Sequence, residues 1–197
     1  MTKTRSELLF ESFCDVNGLA WTRVEERSAP TPDYLVHMPS GQTYFEIKQI
    51  DEDAEFRRPG GVSSRIVGDH VRAKINEARA QVKAGAALGV PSVLLIHNNL
   101  DPLQLFGTER HDFIAAMYGE MTVVLRSGKI VDSFQGRNST LRENHNSSFS
   151  AVGHLRSMPT GAAVEMYQNI FARNPLDPSR VPDCFGFLRI EVTESAA

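Results

Sequence analysis

The sequence predicts an α/β domain that begins with the order helix, strand, strand, strand, helix, strand. Three observations support this prediction. An amphipathic pattern over residues 4–17 opens the chain, and two extended runs meet at the turn residues 39–41. A long amphipathic stretch over residues 67–84 is then followed by the continuous apolar run 93–97. A strand, a crossover helix and a second strand form a parallel pair, so the predicted sheet is mixed.

Composition indicates an ordinary folded protein. Of the 197 residues, 41% are hydrophobic and 23% are charged, which suits one domain. We expect a core over residues 1–100 and an elaboration of the same domain over 101–197. The net charge of −3 does not by itself indicate a nucleic-acid-binding protein, because the distribution of charge matters more than its total.

No membrane partner is expected, because no apolar run approaches the ~20 residues that span a bilayer, and no signal peptide opens the chain. The two cysteines, Cys14 and Cys184, have no metal-ligand spacing. They read as reduced thiols, which predicts a cytoplasmic protein.

The first helix is predicted from the spacing of Leu9, Phe13 and Val16, and Gly18 is expected to end it. Glu7 and Glu11 lie four residues apart on one flank of this helix. Glu7 also completes a capping-box pattern, which offers it a structural role.

A strand over residues 19–25 and a proline-containing loop precede the predicted hairpin, whose arms are residues 34–38 and 43–50. Alternation along the second arm places Glu46 and Lys48 on one face and Phe45 on the other. Asp33, at the start of the first arm, can bring a second carboxylate to them. Two carboxylates and a lysine at one point suit a divalent cation beside a polarised water.

The pattern Pro32-Asp33, then Glu46-Ile47-Lys48, resembles the PD-(D/E)XK nuclease superfamily, whose restriction-endonuclease-like core has the same element order. The resemblance implies that Asp33 and Glu46, with the backbone carbonyl of Ile47, bind Mg²⁺ (or Mn²⁺). Lys48 would position or activate the attacking water. A glutamate on the first helix would lie at the site; Glu7 is the first candidate and Glu11 the alternative.

The long helix has a buried stripe and two polar flanks. Between Arg57 and Lys83, seven Lys or Arg residues stand against two acids, so the segment is locally +5. This charge indicates either a solvated helix face or contact with phosphates beside the metal site. The predicted nucleic-acid contacts are Arg65, Arg72, Lys74 and Gln81.

The second half of the chain carries no motif that we associate with a known family. We expect a helix over residues 108–118, a hairpin of residues 122–125 and 129–133, and a polar loop over 134–148. Further strands are predicted over 150–155, 162–168 and 185–192. These strands either extend the sheet or cover one of its faces.

The predicted function is a divalent-metal-dependent nuclease, with DNA favoured over RNA as the partner; a homodimer is compatible with this. One alternative is a catalytically inactive protein of the same fold that binds nucleic acid or acts in assembly. A second is hydrolysis of a phosphoryl bond in some other substrate. The sequence does not separate endonuclease from exonuclease action.

Overall fold

In a computed structural model, which describes residues 3–25, 28–51, 66–100, 102–126 and 128–191, the chain is an α/β protein. Its described part contains a seven-stranded mixed sheet, a two-stranded sheet and three α-helices. The elements are α1 (Arg5–Val16), β1 (Ala20–Arg23), β2 (Tyr34–Met38), β3 (Gly41–Ile50), α2 (Asp69–Ala86), β4 (Ser92–Asn98), α3 (Arg110–Tyr118), β5 (Glu120–Arg126), β6 (Lys129–Arg137), β7 (Ala151–Met158), β8 (Gly161–Gln168) and β9 (Phe185–Leu188).

The large sheet has the strand order β1-β2-β3-β4-β7-β8-β9. Strands β1, β2 and β3 form an antiparallel meander, while β3, β4 and β7 run parallel to one another. The carboxyl ends of these three parallel strands therefore lie along one edge of the sheet. Strands β5 and β6 pair only with each other within the described chain.

Helices cover the large sheet on both faces. Helix α1 buries Phe10, Phe13 and Cys14 in a cluster on one face, and α2 packs with α3 in a second cluster on the other. Strand β4 lies between the two clusters and is buried at all of its residues, which explains its continuous apolar sequence. Burial raises the pKa of Cys14 to about 12, so this thiol is unreactive at neutral pH.

The predicted order of the first six elements is confirmed, and the later strands β7, β8 and β9 extend the sheet. The polar loop predicted over residues 134–148 is wrong at its start, because β6 continues through Arg137. Ser133, Gly136 and Arg137 are exposed and the hairpin lies outside the main sheet, so burial imposed no apolar alternation there. Among the described residues, no helix is both long and apolar enough to cross a membrane.

Candidate active site

Strands β2 and β3 bring the carboxylates of Asp33 and Glu46 to opposite positions of one hairpin. Tyr34 lies opposite Phe45 in the antiparallel ladder, so the next pair outward is Asp33 and Glu46. Opposite residues of such a pair share a face, with Cβ atoms roughly 5 Å apart. The backbone N–H of Ile47 donates to Oδ2 of Asp33 at 2.8 Å, which orients this carboxylate.

Glu46 is 2% exposed although it is an acid. Its Oε1 lies 2.9 Å from Nζ of Lys48, while its Oε2 is buried and has no hydrogen-bond partner in the described structure. Burial, and then the charge of Asp33, raise the pKa of Glu46 to about 7 against the opposing effect of Lys48. Burial also raises the pKa of Asp33. Burial thus disfavours the ionised forms of both carboxyl groups more strongly than the charge of Lys48 favours them.

Lys48 connects the hairpin to α2. Besides Glu46, it faces Glu77 of α2 at 3.7 Å, and Lys74 donates to the same Glu77 at 2.8 Å. Burial by itself lowers the pKa of Lys48, but the carboxylates of Glu46, Glu77 and Asp33 outweigh it and raise that pKa. Lys48 is consequently an ammonium group throughout the neutral range.

Helix α2 lies over this face of β3, and two contacts define its position. A Cβ built on Gly85 would lie 3.0 Å from Cδ2 of Tyr44, so helix and strand approach closely there. Glu77, two turns earlier, faces the ammonium on β3. Gln81 lies on α2 midway between these two contacts, one turn from Glu77 and one turn from Gly85. Its Oε1 is a second buried oxygen without a partner in the described chain.

Glu7 lies near Asp33 but has partners of its own. Its Oε2 accepts hydrogen bonds from the backbone N–H of Thr4 at 2.6 Å and from the Thr4 hydroxyl, completing the capping box. Its Oε1 pairs with Arg23 at 2.7 Å. Burial raises the pKa of Asp33 most strongly and the charge of Glu7 raises it further, while the backbone N–H of Ile47 and the charge of Lys48 lower it.

The alternative, Glu11, is directed into the core. Its Oε1 accepts a hydrogen bond from the buried hydroxyl of Tyr34 at 2.9 Å, and its Oε2 pairs with Lys3 at 2.7 Å. Of the two glutamates on the first helix, Glu7 is thus the one whose charge acts on Asp33. Both are already engaged by protein groups.

Arg72 holds three parts of the fold together. Its guanidinium donates to the carbonyls of Val67, Ala115 and Asn138, and it pairs with Asp69 at 2.8 Å. Only 12% of its side chain is exposed. These contacts give Arg72 a structural role that its position on the helix flank does not reveal.

The other predicted nucleic-acid contacts fall in different places. Lys74 is paired with Glu77 on the flank of α2 that faces the hairpin, and Gln81 shares that flank. Arg65 lies outside the described residues. The structure therefore links Lys74 to Lys48 through Glu77, has Gln81 on the same flank of α2, and leaves Arg72 on the opposite flank.

A cavity of about 600 Å³ opens at the carboxyl ends of β4 and β7, along the same sheet edge. Its lining includes His97, Asn99, Gln104 and Ser157. Asn99 donates to Asp51, at the end of β3, so hydrogen bonds connect this cavity to the hairpin strand. The sequence pattern does not reveal this cavity, because only the parallel pairing of the strands brings these polar residues together.

One cluster of three or more His, Cys, Asp or Glu side chains that could hold a metal ion occurs in the described chain, at Glu109, His111 and Asp112, whose ligand atoms lie within 4.8 Å of one another. The carboxylate of Asp112 accepts hydrogen bonds from the backbone N–H groups of Gly68 and Glu109. It thereby caps α3 and fixes the segment that enters α2. This structural role accounts for the buried acid of the cluster.

The chain was compared with known proteins in three ways. No protein family, no curated protein and no solved structure matches it.

Proposed function

We propose that Asp33, Glu46 and Lys48 form a divalent-metal-dependent site that hydrolyses phosphodiester bonds, on a core of the PD-(D/E)XK type. One observation carries this proposal. A carboxyl group that is 2% exposed faces a second carboxyl group across a hairpin, and one of its oxygens has no partner in the described structure. Placing a buried acid beside a half-buried one is costly unless a cation joins them.

The residues present fit a hard divalent cation. Mg²⁺ and Mn²⁺ prefer oxygen ligands, and Asp33 and Glu46 supply carboxylates, with the backbone carbonyl of Ile47 as a further ligand. The hydrogen bond from the Ile47 N–H holds Asp33 in place before any ion arrives. When bound, the ion would polarise a phosphoryl oxygen and favour formation of hydroxide from water.

Lys48 is the group we assign to the reacting phosphate and its water. It is positively charged at neutral pH and lies 2.9 Å from Glu46, so it borders the proposed ion. Its ammonium can donate hydrogen bonds to the attacking water or to a phosphoryl oxygen on which charge develops. Glu77, whose side chain is 49% exposed, restrains Lys48 from the α2 side.

Nucleic acid, and DNA before RNA, is the proposed substrate. Lys74 and Gln81 stand on α2 beside the three proposed catalytic residues, where they can contact a backbone phosphate and an adjacent polar group.

A second candidate is an inactive binding or assembly protein with the same core. The ion pair of Lys48 with Glu46 favours it, because a lysine already supplies one positive charge without a metal. Against it, the pKa of Glu46 stays at about 7 despite that lysine, so one cation does not satisfy both acids.

A cleavage assay separates the two candidates. Labelled single- and double-stranded DNA and RNA are incubated with the protein and Mg²⁺ or Mn²⁺, with EDTA as the blank. We expect metal-dependent cleavage that Asp33→Asn abolishes and that Asp69→Asn, the same chemical change at an exposed position of α2, largely retains. Binding of DNA without cleavage under every metal condition would favour the inactive module.

A further inference from the structure

A second cavity, of about 180 Å³, lies on the other side of α2. It is formed by the last turns of α2, the segment before β7 and a residue that follows β8. Its described lining residues are Arg79, Lys83, Asn144, Asn146, Ser147, Ser148, Phe149 and Arg173. Neither the proposed metal ligands nor Lys48 is among them.

The lining is strongly basic. Arg79 and Lys83 are one turn apart on α2, and Arg173 approaches from the end of β8. None of the described lining residues is acidic, and no ion pair engages these three cations in the part of the chain that the structure describes. Three like charges at one small cavity repel one another, and a bound anion would relieve that repulsion.

The cavity wall is held in place by hydrogen bonds. The backbone N–H of Arg173 donates to the carbonyl of Ser147 at 2.7 Å, which fixes the two loops against each other. Asn174 donates to the carbonyl of Ala86 at 2.8 Å and so fastens the same loop to the end of α2. Hydrogen bonds therefore join the segments that carry the three cations. The nearby serine hydroxyls can donate to an anion.

We propose that this cavity binds one phosphate group. Arginine and lysine are the side chains that recognise phosphate, arginine through paired N–H donors. Sites for whole drug-sized ligands occupy roughly 300–1,000 Å³, so the smaller volume here suits a single phosphate better than a complete nucleotide. The phosphate is either a free ion or one group of a nucleic-acid backbone.

This site is independent of the proposed hydrolysis. Arg79 follows Lys74 by five residues and Lys83 follows Gln81 by two, so Arg79 and Lys83 lie on the opposite flank of α2 from Lys74 and Gln81. Loss of phosphate binding here leaves the metal ligands intact. A failure of either proposal can therefore be recognised without reference to the other.

The test is an NMR titration of the ¹⁵N-labelled chain with inorganic phosphate at constant ionic strength, in EDTA. We expect saturable shifts of the Ser147 and Ser148 amides. Arg79→Gln and Arg173→Gln should each weaken phosphate binding tenfold or more, while Lys129→Gln, an equal charge change on the exposed β6, should not. All three side chains are exposed, so the variants are expected to fold.

A second titration identifies the source of the phosphate. A fluorescein-labelled single-stranded oligonucleotide is bound by the same variants in EDTA and followed by anisotropy. If the ligand is a backbone phosphate, Arg173→Gln lowers the salt slope of DNA binding by roughly 0.7, whereas an unchanged slope identifies free phosphate as the ligand. Amide shifts that never saturate, or that survive both arginine variants, would overturn the proposal.

Discussion

Replacing Glu46 by glutamine should make the protein more stable in alkaline solution. In the parent chain, burial and Asp33 raise the pKa of Glu46 from an ordinary 4.5 to about 7. A raised folded-state pKa means that the native state keeps its proton longer than the unfolded chain. The contribution of Glu46 to stability is therefore complete below pH 4.5 and is lost as the pH rises through 7.

The size of this effect follows from the two pKa values. Each pH unit between them corresponds to about 1.4 kcal/mol, so ionising Glu46 costs about 3 kcal/mol of unfolding free energy by pH 8. Glutamine resembles the protonated acid and does not ionise. The unfolding free energy of Glu46→Gln, taken relative to that of the parent, should rise by about 3 kcal/mol between pH 4.5 and pH 8.

Urea denaturation in EDTA across this pH range measures the gain. Glu77→Gln is the matched control: this carboxylate also faces Lys48, but its side chain is 49% exposed, so its curve should run parallel to the parent. Millimolar Mg²⁺ at pH 8 should then stabilise the parent and leave Glu46→Gln unchanged. Parallel pH profiles for the parent and Glu46→Gln would show that ionising Glu46 does not destabilise the fold.

Four other outcomes are expected. Lys48→Met should lower cleavage about a hundredfold or more in a single-turnover assay while a metal ion still binds, and equal cleavage would remove Lys48 from the chemistry. Arg72→Ala should lower the unfolding free energy by about 2 kcal/mol, because several backbone carbonyls lose the guanidinium that donates to them, whereas Lys74→Ala should change it by less than about 1 kcal/mol in the same urea series. Gly85→Ala should cost about 1–3 kcal/mol in that series, since its Cβ would meet Ser92, Pro32 and Tyr44 within 3.0 Å, and an unchanged midpoint would show that α2 can move away. Burial lowers the pKa of His154 from 6.5 to about 3. The stabilising contribution of the neutral imidazole is therefore complete above pH 6.5 and is lost as the pH falls towards 3. In denaturation measured across this range, the unfolding free energy of His154→Phe should depend less on pH than that of the parent.

The sequence predicted those parts of the site that depend on local periodicity. Alternation along β3 and the position of Asp33 before β2 were sufficient to expect Asp33, Glu46 and Lys48 together, because strand pairing brings opposite residues to one face. The stripe of apolar residues on α2 likewise predicted which face is buried. These signals are local, so they can be read without knowing the rest of the fold.

Contacts between distant segments could not be predicted in this way. The sequence predicts that Arg72, on a polar flank of α2, contacts nucleic acid. In the structure, its guanidinium donates to carbonyls of α3 and of the turn after β6. The hydroxyl of Tyr34 that engages Glu11 is equally remote along the chain. Glu77 was missed as a partner of Lys48, although its spacing from Lys74 and Gln81 on the same flank of α2 offered a signal.

The proposed function requires that Asp33 and Glu46 form one site for a divalent cation. Calorimetric titration of Mn²⁺ into the chain at pH 8 tests it most directly, with Asp33→Asn and Glu77→Gln titrated alongside. We expect saturable binding of about one ion per chain in the parent and in Glu77→Gln, and its loss in Asp33→Asn. No saturable binding in the parent, or equal binding in Asp33→Asn, would contradict it.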